Sequence, residues 1–447
     1  MKDKKTLTYI TIIVVLVIML GVMWFIIISD DNKSNNNNNN TLPRMNNNSQ
    51  ATYSGVKEIT SNEDITSGEY KSSTADENTI LVTGNIKSTL SNITVNKTGD
   101  SAGGDNTSFY GTNSAILAKS GANLTIKNAT ITTDATGANG VFSYGGSATT
   151  NNSSGDGTTI NISNSTITTS KDNSGGIMTT GGGTMNATNL TINTAGTSSA
   201  AIRSDRGGGT VTVNKGTYKT TGKGSPTIYS TADITVKNAK LIATASEGVV
   251  IEGKNSVTLE DVELTDTNNT LNGQSTTYKN IFIYQSMSGD ADTGTAEFSS
   301  KNSTIVTNKG DTIYVTNTKA NITLENNKFT NKDTTGNFLR IQKDSWGNSG
   351  SNGGDVSLKL INQKVSGNIV VDSISKLTME LTKSSSNEGT INNRNESKEN
   401  KLILDSNSKI KLTGDSYVSE LEDADNTYSN IDLNGYKLYV GGKEFSK

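Results

Sequence analysis

The sequence predicts an all-β chain: a parallel β-helix, wound as a single solenoid of about eleven or twelve coils, preceded by one transmembrane helix. Three observations carry that reading. A block of the form apolar-x-Asn-x-x-apolar returns along the chain at spacings of about 22 to 36 residues. Only 31% of the 447 residues are hydrophobic while 44 are glycine, a poor supply for a compact helical domain but enough for a thin, elongated β core. An unbroken apolar run of about twenty residues lies near the N-terminus, long enough to span a hydrocarbon core.

The N-terminal elements come first. Residues 1–8 form a basic tip with Lys2, Lys4 and Lys5, and residues 9–29 are the apolar run, ending in Ile27-Ile28-Ser29. No small-x-small cleavage site closes it, so it reads as an uncleaved signal anchor. Lysines precede the run and Asp30 and Asp31 follow it, which leaves the tip in the cytoplasm and the body outside the cell. A cleaved signal would export the body equally. Residues 30–51 hold Asn35 to Asn40 without interruption, then Asn46 to Asn48, and read as a flexible spacer.

From residue 52 to 447 the chain repeats. The recurring block reads Leu90-Ser91-Asn92-Ile93-Thr94-Val95, then Ile126-Lys127-Asn128-Ala129-Thr130-Ile131, and continues with Asn at 164, 189, 238, 302, 326 and 362. Lys215 and Asp261 stand at the same phase in two units. A left-handed bend between two strands suits Asn, whose short side chain tolerates positive φ. Stacked amides can also hydrogen-bond from coil to coil. Thus Asn92, Asn128, Asn164, Asn189, Asn238, Asn302, Asn326 and Asn362 are expected as a structural ladder. Length changes fall in Gly, Ser, Thr and Asn loops. Open ends of such a stack need covers. Residues 52–79 are expected as an N-terminal cap, and about 428–447 as a closing hairpin.

Composition excludes several chemistries. The chain has no histidine and no cysteine, so Ser-His-Asp and Cys-His nucleophile pairs, the usual zinc sites and disulfides are ruled out. A net charge of -3 and only five arginines argue against a nucleic-acid partner.

Ser108-Phe109-Tyr110-Gly111-Thr112-Asn113, Gly181-Gly182-Gly183-Thr184 and Ser199-Ala200-Ala201-Ile202-Arg203-Ser204-Asp205-Arg206-Gly207-Gly208-Gly209 carry a resemblance. The chain resembles the pectate-lyase-like, right-handed parallel β-helix superfamily, and more narrowly the adhesin-like and carbohydrate-binding-domain surface proteins of Gram-positive bacteria. The similarity spans most of residues 80–440. It implies a fold strongly and a function weakly, since the group includes calcium-using binders of acidic polysaccharide as well as true lyases.

Aligning the first strand of each coil on an inward apolar residue (Ile116, Ile177, Ile202, Ile228, Ile251, Ile313) puts the next residue outward. That column is expected to hold Phe142, Arg203, Tyr229, Glu252, Tyr284, Tyr314 and Arg340, with Tyr144 and Asp205 two residues on. Rings flanked by guanidinium and carboxylate groups, Arg206 among them, suit a sugar chain held by stacking and bidentate hydrogen bonds. The same rings would equally serve to cover loops or brace the sheet. The expected function is therefore a non-catalytic, membrane-anchored extracellular protein that binds polysaccharide or a cell-surface glycan, with the chain a monomer. A calcium-dependent uronate lyase is the alternative, using Arg203 or Arg206 on the substrate and Asp205 or Glu252 on calcium. However, the acids are dispersed, and paired Asp motifs with His of the polygalacturonase type are absent. A structural surface spacer is the third reading. Asp290 and Asp292 form the start of an oxygen-ligand calcium loop without its completion.

Overall fold

In a short strand, alternate side chains point to opposite sides, so a chain that is apolar at every second position must find a wall to bury. The computed structural model describes residues 51–446 except 102, 147–153 and 274. Within them the strands pair in parallel with the strand one coil before and one coil after. They make a parallel β-sheet solenoid of the kind a parallel β-helix forms. Residues 1–50, with the expected anchor and nearly all of the spacer, lie outside the described residues. Among the described residues no helix is long and apolar enough to cross a membrane.

Face A is a twelve-stranded sheet running from Gly55–Ile59 to Ile369–Val371. Its inward column passes in register through Ile80, Ile116, Val141, Ile177, Ile202 and Ile228. It continues through Val249, Ile281, Ile313, Leu339 and Ile369. All eleven side chains are fully buried, each contributing about 1.5–3 kcal/mol by leaving water. A second, 21-stranded sheet bends to give face B before the bend and face C after it. Its long strands, such as Gly183–Thr194 and Gly209–Thr220, run through the bend unbroken.

The bend is where Asn recurs. Asn92, Asn128, Asn164, Asn189, Asn238, Asn302, Asn326 and Asn362 all have φ between 47° and 54°, and Lys215 and Asp261 share that conformation at 64° and 55°. The amides bond between coils in three neighbouring pairs: Asn128 Nδ2 donates to Asn92 Oδ1 at 3.2 Å, Asn189 to Asn164 at 2.8 Å and Asn326 to Asn302 at 2.8 Å. At the Lys215 coil the ladder slips by one residue, and Asn238 donates to Asn214 Oδ1 at 2.9 Å. Next to Lys215, Gly216 sits at φ 112°, where a Cβ would come within 2.3 Å of the Leu190 carbonyl oxygen.

A second polar ladder runs inside the bend. The residue after the corner points inward and accepts the backbone N–H of its counterpart one coil earlier. Ser303 Oγ accepts from Val262, Asn327 Oδ1 from Ser303, Gln363 Oε1 from Asn327, Ser385 Oγ from Gln363 and Ser408 Oγ from Ser385. These side chains satisfy amides that the turn removes from the sheet.

The N-terminal end differs from the expected cap. Residues 55–72 supply strands Gly55–Ile59, Asp64–Ile65 and Gly68–Ser72, each paired with the following coil, so this segment is itself a coil of the stack. Beyond the last face A strand, Ile369–Val371, the stack continues through the Ile369–Ile391 bridge. The Tyr417 N–H then donates to the Ile391 carbonyl, and strand Ser416–Val418 pairs with Leu438–Val440. The solenoid is therefore longer than eleven or twelve coils. An antiparallel hairpin, Leu438–Val440 with Lys443–Glu444, ends the described chain.

Asn164→Ala places a residue without a local polar group at φ 49° and removes the acceptor of Asn189, and is expected to cost about 1–2 kcal/mol in urea unfolding. Asn387 lies in register between Val365 and Ile410, is 1% exposed, and neither its Oδ1 nor its Nδ2 has a hydrogen-bond partner. Asn387→Val is expected to raise stability by about 1–3 kcal/mol, read as a higher urea midpoint at unchanged slope.

Candidate functional site

The outward side of face A carries the residues singled out from the sequence, and the register corrects their arrangement. The column runs Leu81, Leu117, Phe142, Met178, Arg203, Tyr229, then Val250, Phe282, Tyr314 and Arg340. Glu252 and Tyr284 are not in it. They pair with each other two residues further along their strands, in an adjacent column. The reason is the period of two: Val249 and Ile251 both face inward, as do Ile281 and Ile283, so the apolar pattern fits equally well when shifted by two residues.

The column is also covered rather than open. Phe142, Met178 and Tyr314 are fully buried and Phe282 is 4% exposed. Two inserted segments do the covering. The short helix Gly104–Tyr110 brings Phe109 and Tyr110 to the first patch. There Tyr110 meets Tyr144 edge-on at 5.6 Å, and Thr180 Oγ1 donates to the Phe109 carbonyl at 2.7 Å. Over the second patch Trp346 packs 5.2 Å from both Phe282 and Tyr284. The buried Lys279 ammonium lies 4.2 Å from the Phe282 ring centroid. Burial holds the Lys279 pKa below the usual lysine range, opposed by Glu247.

Between the patches runs a charged seam. Arg203 Nη2 donates to Asp205 Oδ2 at 2.9 Å, and Asp205 Oδ1 accepts the Arg206 backbone N–H at 2.9 Å. Arg206 stacks 4.2 Å from the Phe109 ring and donates to Asp290 Oδ1 at 2.7 Å. Glu252 accepts from the Tyr229, Tyr284 and Ser286 hydroxyls, with Tyr284 at 3.0 Å. Tyr229 and Tyr284 are half-buried, with their hydroxyls held on Glu252. Arg340 pairs with the buried Asp311. Burial holds the carboxyl of Glu252 above the usual range against its three hydroxyl donors, and does the same to Asp205 against Arg203.

The acids expected on calcium are engaged with cations of the chain: Asp290 with Arg206, and Asp292 with Lys254 at 2.8 Å. Among the described residues no three His, Cys, Asp or Glu side chains cluster as a metal site. A polar hollow of about 420 Å³ lies on the second sheet, lined by Asn62, Glu63, Asp64, Lys87, Thr89 and Thr125 among others. None of the seam residues lines it, and nothing in the repeat pattern singles it out. No protein-family model, curated protein or solved structure matches the chain.

The raised carboxyl of Glu252 fixes the sign of a pH effect. An acid whose folded pKa lies above its unfolded value contributes most below the unfolded pKa, about 4.3 for Glu, and that contribution is lost as the pH rises through the folded value. Glu252→Gln is expected to flatten the fall of the melting temperature as the pH rises above about 4.3, measured by circular dichroism at fixed ionic strength.

Proposed function

We propose that the chain is a membrane-anchored, extracellular, adhesin-like protein whose body binds polysaccharide or a cell-surface glycan without catalysis, its coils winding right-handed as in the pectate-lyase-like superfamily. One observation supports this reading most directly. Half-buried Tyr229 and Tyr284 share the seam with the guanidinium of Arg206, on a solenoid whose second sheet turns largely Thr, Asn and paired charges outward. Aromatic edges and a fixed planar donor in one seam suit sugar hydroxyls and carboxylates.

A display spacer is the second reading, favoured by the burial of Phe142 and Tyr314, which removes those rings from any ligand. The full chain in detergent, applied to a glycan array, distinguishes the two. Binding is expected to fall at least about tenfold in Arg206→Ala, a loss of about 1.4 kcal/mol, with the melting curve checked in parallel. A spacer binds no glycan in either form. Release of unsaturated product from a uronate polymer would instead support the lyase.

A further inference from the structure

The inward column at the end of face C changes character in one coil. Thr169, Thr194, Thr220 and Ala243 are followed in register by Asp266 and Thr307. Thr169 and Thr194 satisfy their hydroxyls by donating to the carbonyls of Ser174 and Ser199. Asp266 is fully buried, and burial pushes its carboxyl well above the usual range against the backbone N–H groups of Asn308 and Asn268. Its Oδ2 accepts the Asn268 backbone N–H at 3.3 Å, while Oδ1 has no donor.

The neighbours repeat the pattern. Asn268 Nδ2 donates to the Lys279 carbonyl at 2.9 Å, and Asn280 Nδ2 donates to the Val306 carbonyl and to Thr307 Oγ1, both at 3.1 Å. With the Asp266–Thr307 register pair, these bonds close a ring through Asn268 and Asn280. They also fix the amide orientations, because flipping either would face an oxygen to a carbonyl. Asn268 Oδ1 and Asn280 Oδ1 are left without donors, and both residues are fully buried. Three acceptors on this ring of residues are thus buried without a hydrogen-bond donor.

We propose that this corner binds a dehydrated hard metal cation, sodium, potassium or calcium, through the Oδ1 atoms of Asp266, Asn268 and Asn280. Carboxylate and amide oxygens are the ligands such ions take. A proton on Asp266 would supply one donor for two amide oxygens and leave one unpaired, whereas a cation engages all three.

The test is thermal unfolding of the full chain in choline chloride against sodium, potassium and calcium chloride at matched ionic strength. At least one metal is expected to raise the melting temperature steadily with the logarithm of its concentration, from about 1 to about 300 mM, as mass action requires. Asp266→Asn is expected to lose that dependence, and Asn268→Ser to weaken it if the first variant folds poorly. Equal melting temperatures in all four salts, or an undiminished rise in Asp266→Asn, would overturn the proposal.

Discussion

From Asn92 to Asn362 each coil turns through a reversal that the backbone makes reluctantly. A left-handed corner costs an ordinary residue about 1–2 kcal/mol, and over this stretch it recurs at the same place in each turn. Asn meets this need twice, by tolerating φ near 50° and by offering an amide to the coil beside it. Just inside it, Ser303, Asn327, Gln363, Ser385 and Ser408 occupy amides that would otherwise be buried unpaired. With the corners set, the apolar columns fall into line and parallel pairing follows.

That division explains what could be read in advance. The Asn phase is a local property of each coil, so the repeat, the positive-φ corner and the inward Ile and Val columns were legible from residue type and spacing alone. The outward column was less so. Val249-Val250-Ile251 and Ile281-Phe282-Ile283 offer two equivalent registers, and only their pairing with Ile228 and Ile313 decides between them. Nor does any periodicity reveal that Gly104–Tyr110 and the Trp346 segment fold back over face A. Those contacts join distant parts of the chain, and the segments themselves lie outside the repeat. The corner at Asp266 was invisible for a related reason: its three residues become neighbours only when one loop closes.

Covering the rings changes what face A is. An aromatic stripe that looked like a surface is, over most of its length, a second thin core on the outside of the sheet. Leu81, Leu117, Phe142 and Met178 form one part, and Val250, Phe282 and Tyr314 the other. The charged seam is the gap between them, where buried carboxylates are kept in place by hydroxyl and guanidinium donors.

A stack whose coils touch only their neighbours can fray one turn at a time from either end. The Arg206–Asp290 pair joins positions 84 residues apart, and Thr180 reaches the Phe109 carbonyl across 71 residues. Such ties act as staples over several turns, so the middle of the solenoid melts as one block while its C-terminal turns, lacking a comparable strap among the described residues, can peel away singly.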